Sequence, residues 1–401
     1  MDIMKNKPLA SIFLIVFIDL LGFGLILPLL PYYAESFGAS DTLVGILVAS
    51  YAAAQLVGAP LLGRLSDRFG RRPILLVSLL GTLLSFLLLG FAKTLWVLFA
   101  ARIFDGITGG NISVAQAYIA DVTDEKSRAK GMGMIGAAFG LGFIFGPATG
   151  GFLSQWGYAV PAFAAAGLVT FNLLMVYFWL PESLTPEKRA ELAKTEKPKL
   201  TLGTLFAALK RPFSGSLLIT RFFFGLAFAI FQTIFSLYAL RRFNLAAQQT
   251  GYILTYVGVL SVIVQGGLVG KLSERFREDW LITASVGVMA LSLLGWAFVP
   301  SVTMLLVVLA PIALAGGILN TVVSSALTKT VQPQEIGGIL GLSASIESLT
   351  RVIAPTLGGI LLERLGAWSP GVFSAIVLAG LFVYVWFAIF NHPMAQAAPA
   401  N

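Results

Sequence analysis

Residues 63–73 read GRLSDRFGRRP, and residues 270–276 read GKLSERF. At this offset of 207 positions, the first seven letters of the two segments contain five identities and two conservative changes. Two further matches follow at offsets of 207 and 208, namely GG at 109–110 with GG at 316–317, and GPATGG at 146–151 with APTLGG at 354–359. The sequence therefore contains two related halves.

Both halves consist mainly of apolar stretches of about 20 residues, the length of a helix that crosses a hydrocarbon core of ~30 Å. Of the 401 residues, 57% are hydrophobic and 11% are charged, against about 25% charged residues in soluble domains. Twelve spans are predicted, at 9–32, 42–63, 73–92, 95–120, 131–153, 159–180, 213–240, 248–270, 280–299, 302–328, 336–362 and 367–390.

An even number of spans in each half gives both halves the same orientation in the membrane. The expected fold is an all-α integral membrane protein of two six-helix bundles, 1–180 and 213–401, joined by a cytoplasmic linker at 181–212. The end of the linker, LTLGTLFAALKRP, is compatible with a short amphipathic helix on the membrane surface or with a flexible tether.

Lysine and arginine are unevenly distributed over the two sides. If the N-terminus is cytoplasmic, 20 of the 27 lie in inner segments, 4 lie in outer segments, and the rest lie within helices. This bias follows the positive-inside rule and places both termini in the cytoplasm. The net charge of +8 is thus explained by topology, and no nucleic-acid partner is implied.

The sequence has no cysteine, and its single histidine, His392, follows the last span. These facts argue against a metal site or another resident cofactor in the membrane. No helix offers a paired histidine and acid, or a serine nucleophile with its base. We therefore expect a protein that is not an enzyme.

The charged segment at 63–73 joins the second and third spans. Gly63 allows close backbone approach, Asp67 can cap a helix or pair with arginine, and Gly70 permits a tight turn. Arg71 and Arg72 are expected to face the anionic leaflet.

This segment closely resembles the signature loop of the major facilitator superfamily. Two further motifs resemble that family: RIFDGITGG at 102–110, and GLGFIFGPATGG at 140–151. The resemblance implies a gating loop formed by Gly63, Asp67, Arg68, Gly70, Arg71 and Arg72. It also implies an antiporter motif in the fifth helix at Gly146, Pro147, Gly150 and Gly151, although such glycines also serve close helix packing.

Within the superfamily, residues 11–182 resemble the tetracycline/proton antiporter-like group most densely. The sequence departs from true tetracycline exporters at Ser85, where they carry an acid in the third helix. It also lacks their histidine in the eighth helix and their acid in the ninth. These departures favour a substrate other than tetracycline.

Six charged residues fall within predicted spans, where each costs at least about 2.5 to 3.5 kcal/mol. Arg102 with Asp105, and Glu347 with Arg351, have the spacing of neighbours on one helix face and can neutralise each other. Asp19 has no such partner, and Arg221 is the sixth charge. Buried charge partners are therefore expected at Arg102, Arg221 and Arg351.

The family resemblance places Asp19, Asp105 and Glu347 near a central cavity between the halves, so all three are candidates for proton coupling. Asp19 leads, because a carboxyl without an ionic partner can bind and release a proton as its surroundings change. Uncharged polar and aromatic side chains are candidates either for the cavity lining or for contacts between helices. These are Tyr51, Gln55, Asn111, Gln116, Phe231, Gln232, Tyr256 and Asn320.

The function that these features favour is a multi-pass transporter of the cell (inner or plasma) membrane. It is expected to act as a monomer and to export amphipathic small molecules or drugs by proton antiport with alternating access. Two alternatives remain open: a lipid or glycolipid exporter of the same fold, and a receptor or scaffold that transports nothing.

Overall fold

The computed structural model describes residues 7–189, 208–209, 211, 213–332 and 335–391, and its regular elements are helices. The predicted amphipathic segment at the end of the linker lies almost wholly outside the described residues, as does His392.

Eight α-helices lie between residues 7 and 179 of the described chain. They are α1 (Lys7–Ile26), α2 (Leu30–Glu35), α3 (Asp41–Phe69), α4 (Arg71–Gly90), α5 (Leu95–Thr108), α6 (Asn111–Val122), α7 (Glu125–Leu153) and α8 (Ala159–Trp179).

The described part of the second half, from residue 213 to 391, contains seven α-helices and two short π-helical turns, at Val264–Leu268 and Trp386–Phe390. The helices are α9 (Ser214–Phe243), α10 (Ala247–Ile263), α11 (Val269–Arg275), α12 (Glu278–Ala297), α13 (Val302–Lys329), α14 (Ile336–Leu365) and α15 (Ser369–Val385).

Eleven helical segments in the described residues are long and apolar enough to cross a membrane. They correspond to eleven of the twelve predicted spans. The predicted fourth span, 95–120, differs because it is broken at Gly109 and Gly110 into α5 and α6, of 14 and 12 residues.

Many large apolar side chains point away from the protein interior. Phe91, Phe178 and Leu291 are each exposed over about 70% of their surface. A water-soluble monomer rarely exposes so much apolar surface, whereas acyl chains solvate it well. These side chains indicate a lipid-facing surface.

The described chain divides into two compact units. The first contains α1, α2, α4 to α8 and most of α3, together with Leu245–Gly258; the second contains Asp41–Ile46, α9 and the residues from Val259 onward. In the first unit, the Tyr32 hydroxyl donates to the Leu245 carbonyl at 3.1 Å. In the second, Arg241 pairs with Asp41 at 2.8 Å.

The core of the second unit is built on aromatic rings. Trp296 and Tyr238 are fully buried with ring centroids 4.4 Å apart, and the Tyr238 hydroxyl donates to the Trp296 carbonyl at 2.7 Å. Phe231 packs edge-on against Trp296 at 5.1 Å. Phe231 is therefore a core residue, and the prediction that it lines a cavity is wrong.

Candidate functional site

Asp19, on α1, lies in a polar cluster in the first unit. The Asn111 side-chain amide, at the start of α6, donates to Asp19 Oδ1 at 2.8 Å. A small cavity adjoins this pair, and its lining includes Tyr51, Gln55 and Asp105. The structure therefore brings three of the predicted cavity residues, Tyr51, Gln55 and Asn111, to the leading proton-site candidate.

Arg102 and Asp105 form the ion pair that their spacing predicts. Arg102 Nη1 lies 3.0 Å from Asp105 Oδ2, and both side chains are almost fully buried. The Arg102 guanidinium also lies over the Tyr51 ring, 4.3 Å from its centroid. Asp105 is thus neutralised by an arginine of its own helix, whereas the partner of Asp19 is an uncharged amide.

The break between α5 and α6 is held by side chains of α3 and α4. Gln55 donates to the Gly109 carbonyl at 3.0 Å, and the Gly110 N–H donates to Ser78 Oγ at 3.2 Å. Ser78 also donates to the Thr108 carbonyl. Free backbone groups at membrane depth require such partners, and this break puts Asn111 at the start of a helix beside Asp19.

The sequence contained a signal for this break. The glycine pair marks the repeat and belongs to the family-like motif at 102–110, and two adjacent glycines within an apolar span also indicate a discontinuous helix. Discontinuous helices are common at the sites of transporters.

A second charged cluster lies in the second unit. Arg221, on α9, donates to Asn320 and to Glu347, each at 2.6 Å. Arg351 also pairs with Glu347, which confirms the ion pair expected from their spacing on α14. The bonds from Arg221 were not predicted, because they join helices that are distant in sequence.

Arg351 differs from the sequence prediction. Its side chain is 58% exposed, against 9% for Arg221. Of the three expected buried partners, only Arg102 and Arg221 are buried. Arg221 contacts Glu347 Oε2 from α9, and Arg351 contacts the other oxygen, Oε1, from one turn further along α14.

The segment at 63–73 forms a network within the first unit. Arg71 donates to Asp67 at 2.7 Å, to Ser66 at 2.7 Å and to Asp121 at 2.9 Å. Arg71 is buried, so the expectation that it faces the lipid leaflet is wrong. Three oxygen partners compensate the guanidinium for its lost hydration.

The start of α4 is capped by a residue from beyond α8. The Glu182 carboxylate accepts from the backbone N–H groups of Arg71 and Arg72, at 2.9 and 3.1 Å. Gly70 permits this approach, because its φ is +107° and an added Cβ would lie 2.5 Å from Glu182 Oε2. Glu182 and Asp121 were not among the predicted site residues.

The remaining residues of the predicted gating loop do not take part in the side-chain network around Arg71. Arg72 donates to the carbonyls of Val176 and Tyr177, so it binds the end of α8 and not the leaflet. Arg68 is exposed and lies over the neighbouring Phe69 ring. Gly63 makes no close approach, since a Cβ added there would meet no described atom within 4 Å.

The glycines of the fifth-helix motif allow close packing within the first unit. A Cβ added at Gly146 would lie 2.6 Å from Gly24 Cα, and one at Gly150 would lie 2.3 Å from the Leu25 carbonyl oxygen. Gly151 faces the Gln248 backbone, and Pro147 lies within α7. These residues bring the backbones of α1 and α7 into contact.

The described lining of the cavity beside Asp19 does not include the other predicted cavity residues. Gln116 and Gln232 are exposed, and Tyr256 is partly buried. Asn320 belongs to the cluster around Arg221.

Comparisons with known proteins agree with this architecture. A family model described as Major Facilitator Superfamily matches residues 12–302 and 217–401. Tetracycline resistance protein, class H, from Pasteurella multocida is 33% identical over 388 residues, covering 95% of this chain and 96% of the relative. Multidrug resistance protein 2 from Bacillus subtilis is 30% identical over 364 residues, covering 90% of each.

A solved structure supports the fold. A bacterial homologue of the human lysosomal transporter Spinster, in an inward-facing and occupied conformation, aligns with a TM-score of 0.78 over the whole of both chains at 16% identity. The matched motifs, the helical spans and these relatives together identify the chain as a multi-pass membrane transporter that belongs to the Major Facilitator Superfamily, in the group that includes the tetracycline resistance proteins.

Proposed function

We propose that this transporter exports amphipathic small molecules in exchange for protons, and that Asp19 binds the proton. The relatives named for tetracycline and multidrug resistance support a drug-like substrate. The proposal includes a monomer with cytoplasmic termini, in which six-helix halves at 1–180 and 213–401 are joined by the linker at 181–212.

The environment of Asp19 carries the proposal. Its hydrogen-bond partner is the neutral amide of Asn111, and among the described residues Asp19 has no ion pair. Asp105 and Glu347, by contrast, each bind an arginine. A carboxyl compensated only by a neutral group can change its charge at lower cost than one held in a buried ion pair.

Asn111 suits both protonation states of Asp19. The carboxylate accepts the amide N–H, whereas a protonated carboxyl needs an acceptor for its O–H. Asn111 Oδ1 is buried and has no hydrogen-bond partner among the described residues. Rotation of the amide would present this oxygen to protonated Asp19, so the same side chain can stabilise either state.

The energy of one proton is sufficient for export. A proton that moves down a potential of 100 mV supplies about 2.3 kcal/mol. That free energy supports roughly a fifty-fold gradient of a neutral substrate for each proton exchanged.

The test uses purified protein in proteoliposomes, with ethidium and tetracycline as probes. We expect Asp19→Asn to lose probe transport driven by an imposed pH gradient while it retains probe binding. A pH dye should record proton release when a probe binds to the detergent-solubilised wild type, and no release from Asp19→Asn.

Asp105→Asn and Glu347→Gln are the matched comparisons, because each removes one carboxylate charge within a span. Both should impair folding or affinity, since they leave arginines uncompensated. Proton release that persists in Asp19→Asn and disappears in one comparison would move the proton site to that carboxyl. Normal release from all three variants would show that none of these carboxyls binds the coupled proton. Absence of release from the wild type would contradict antiport, and absence of probe counterflow from the wild type would favour a scaffold or a lipid exporter.

A further inference from the structure

The second unit carries an excess positive charge within its spans. We call Arg221, Asn320, Glu347 and Arg351 the arginine cluster. It contains two guanidinium groups and one carboxylate, and it joins α9, α13 and α14 through the bonds described above. Because burial of an unmatched charge is costly, the surplus cation requires an explanation.

The buried half of the arginine cluster is already neutral. Arg221 donates one Nη to Glu347 Oε2 and the other to Asn320 Oδ1. The Arg221–Glu347 pair therefore balances its own charge. The surplus charge of the cluster belongs to Arg351.

Arg351 lies halfway along the 30-residue helix α14. A helix of that length extends about 45 Å, so its midpoint falls within a hydrocarbon core of about 30 Å. The side chain is nevertheless 58% exposed. A guanidinium cannot face acyl chains at this depth without a large cost, so its exposed surface faces water or a bound polar group.

Among the described residues, Glu347 is the one ionic partner of Arg351, and it binds a single terminal nitrogen. The guanidinium has five N–H donors in a planar fork, and the exposed ones match the two oxygens of a carboxylate. Such bidentate pairs are among the stronger polar contacts in proteins.

We propose that Arg351 binds a carboxylate of the exported molecule, so that amphipathic organic acids are preferred over their neutral analogues. This inference rests on the proposed transport function and adds the chemical class of its substrate. Arg221 and Asn320 act as positioning residues, since Arg221 holds the Glu347 carboxylate that orients Arg351 and Asn320 accepts from the other terminal nitrogen of Arg221.

The experiment measures thermal stabilisation of purified full-length protein by three matched pairs of probes. They are 1-naphthaleneacetate with 1-naphthaleneacetamide, indole-3-acetate with indole-3-acetamide, and 4-phenylbutyrate with 4-phenylbutyramide. Apparent affinities follow from the concentration dependence of the unfolding midpoint. For at least one pair, we expect the wild type to bind the acid about tenfold more tightly than the amide.

Arg351→Gln should lose this preference and leave the affinity for the amide unchanged. The variant should fold, because it leaves the Arg221–Glu347 pair intact and removes the surplus charge. Arg351→Lys should retain part of the preference. Arg364→Gln is the matched control, because Arg364 lies in the last turn of the same helix and should not affect acid binding.

If no acid binds more tightly than its amide, or if Arg351→Gln retains the preference, the assignment is wrong. Transport of ethidium and of the three acids, driven by a pH gradient, separates this inference from the proposed function. Driven transport without an acid preference overturns the carboxylate site alone. An acid preference that depends on Arg351, in a protein without driven transport, supports the site and overturns proton-coupled export.

Discussion

The end of α3 and the end of α11 have similar sequences, but the helices that follow them begin with opposite charges. α4 begins with Arg71 and Arg72, whereas the equivalent residues of α12 are Glu278 and Asp279. Acidic groups stabilise a helix N-terminus, so α12 supplies its own and α4 depends on the carboxylate of Glu182.

The ion pairs are inverted in the same way. Arg71 pairs with Asp121 at 2.9 Å in the first unit, and Glu278 pairs with Lys329 at 2.8 Å in the second. Arg71 is buried, whereas the Lys329 side chain is 65% exposed. Duplication has preserved the helices and the connecting segment, while each copy has acquired its own charge partners and its own degree of burial.

The largest effect is expected from charge reversal in the buried copy. Arg71→Glu would place a third carboxylate beside Asp67 and Asp121, and should cost at least about 3 to 5 kcal/mol, as loss of a buried ion-pair partner does. We expect little folded protein, measured as monodisperse yield in size-exclusion chromatography in detergent.

Glu278→Arg is the equivalent change in the second copy. It should cost about 1 kcal/mol, since it affects an exposed lysine and one favourable charge at a helix N-terminus. Equal losses of yield for the two variants would mean that the ion pairs of Arg71 and Glu278 contribute equally to the stability of the protein.

A smaller effect is expected from Gly70→Ala. The alanine would adopt a backbone conformation that is almost restricted to glycine, and its Cβ would displace the Glu182 carboxylate. The expected loss is about 1 to 3 kcal/mol, seen as a lower thermal unfolding midpoint. Gly63→Ala, on α3, has free space around it and should leave the midpoint unchanged or raise it slightly.

Glu182→Gln removes the charge of the cap on α4, together with a partly exposed ion pair between Glu182 and Arg189 at 3.5 Å. Glutamine retains an acceptor for one backbone N–H, so the loss should be about 1 kcal/mol. Glu274→Gln is the control, because Glu274 matches Asp67 in the repeat yet makes no ion pair among the described residues. If Glu274→Gln lowers the unfolding midpoint as much as Glu182→Gln does, the effect of Glu182→Gln cannot be assigned to the cap on α4.

The smallest effect concerns Asp124, which caps α7 and whose equivalent in the second half is Val331. The Ser127 hydroxyl and backbone N–H donate to its carboxylate and hold the pKa of Asp124 below its ordinary value. Such a group adds stability above its unfolded pKa and loses it as the pH falls through the folded value.

Asp124→Asn retains a good cap but cannot titrate. Between pH 7 and pH 3, its thermal unfolding midpoint should therefore fall slightly less than that of the wild type. Identical pH profiles would show that the charge of Asp124 adds nothing to the cap.

The sequence by itself determined the membrane-spanning architecture, the duplication and the family. These are readable because the apolar content of each span decides whether that span enters a bilayer, independently of its neighbours. The pairs Arg102–Asp105 and Glu347–Arg351 were predictable for a similar reason, since the pitch of one helix places residues three or four apart side by side.

Only the tertiary structure decided which groups meet across helices. In the structure Asn111 binds Asp19, which is 92 positions away in the sequence. Arg221 binds Glu347, and Glu182 caps the start of α4. The tertiary structure also stabilised the break before Asn111 with Gln55 and Ser78. Such contacts depend on the depth, rotation and packing of whole helices, which are set by many side chains at once, so the spacing of residues in one span cannot specify them.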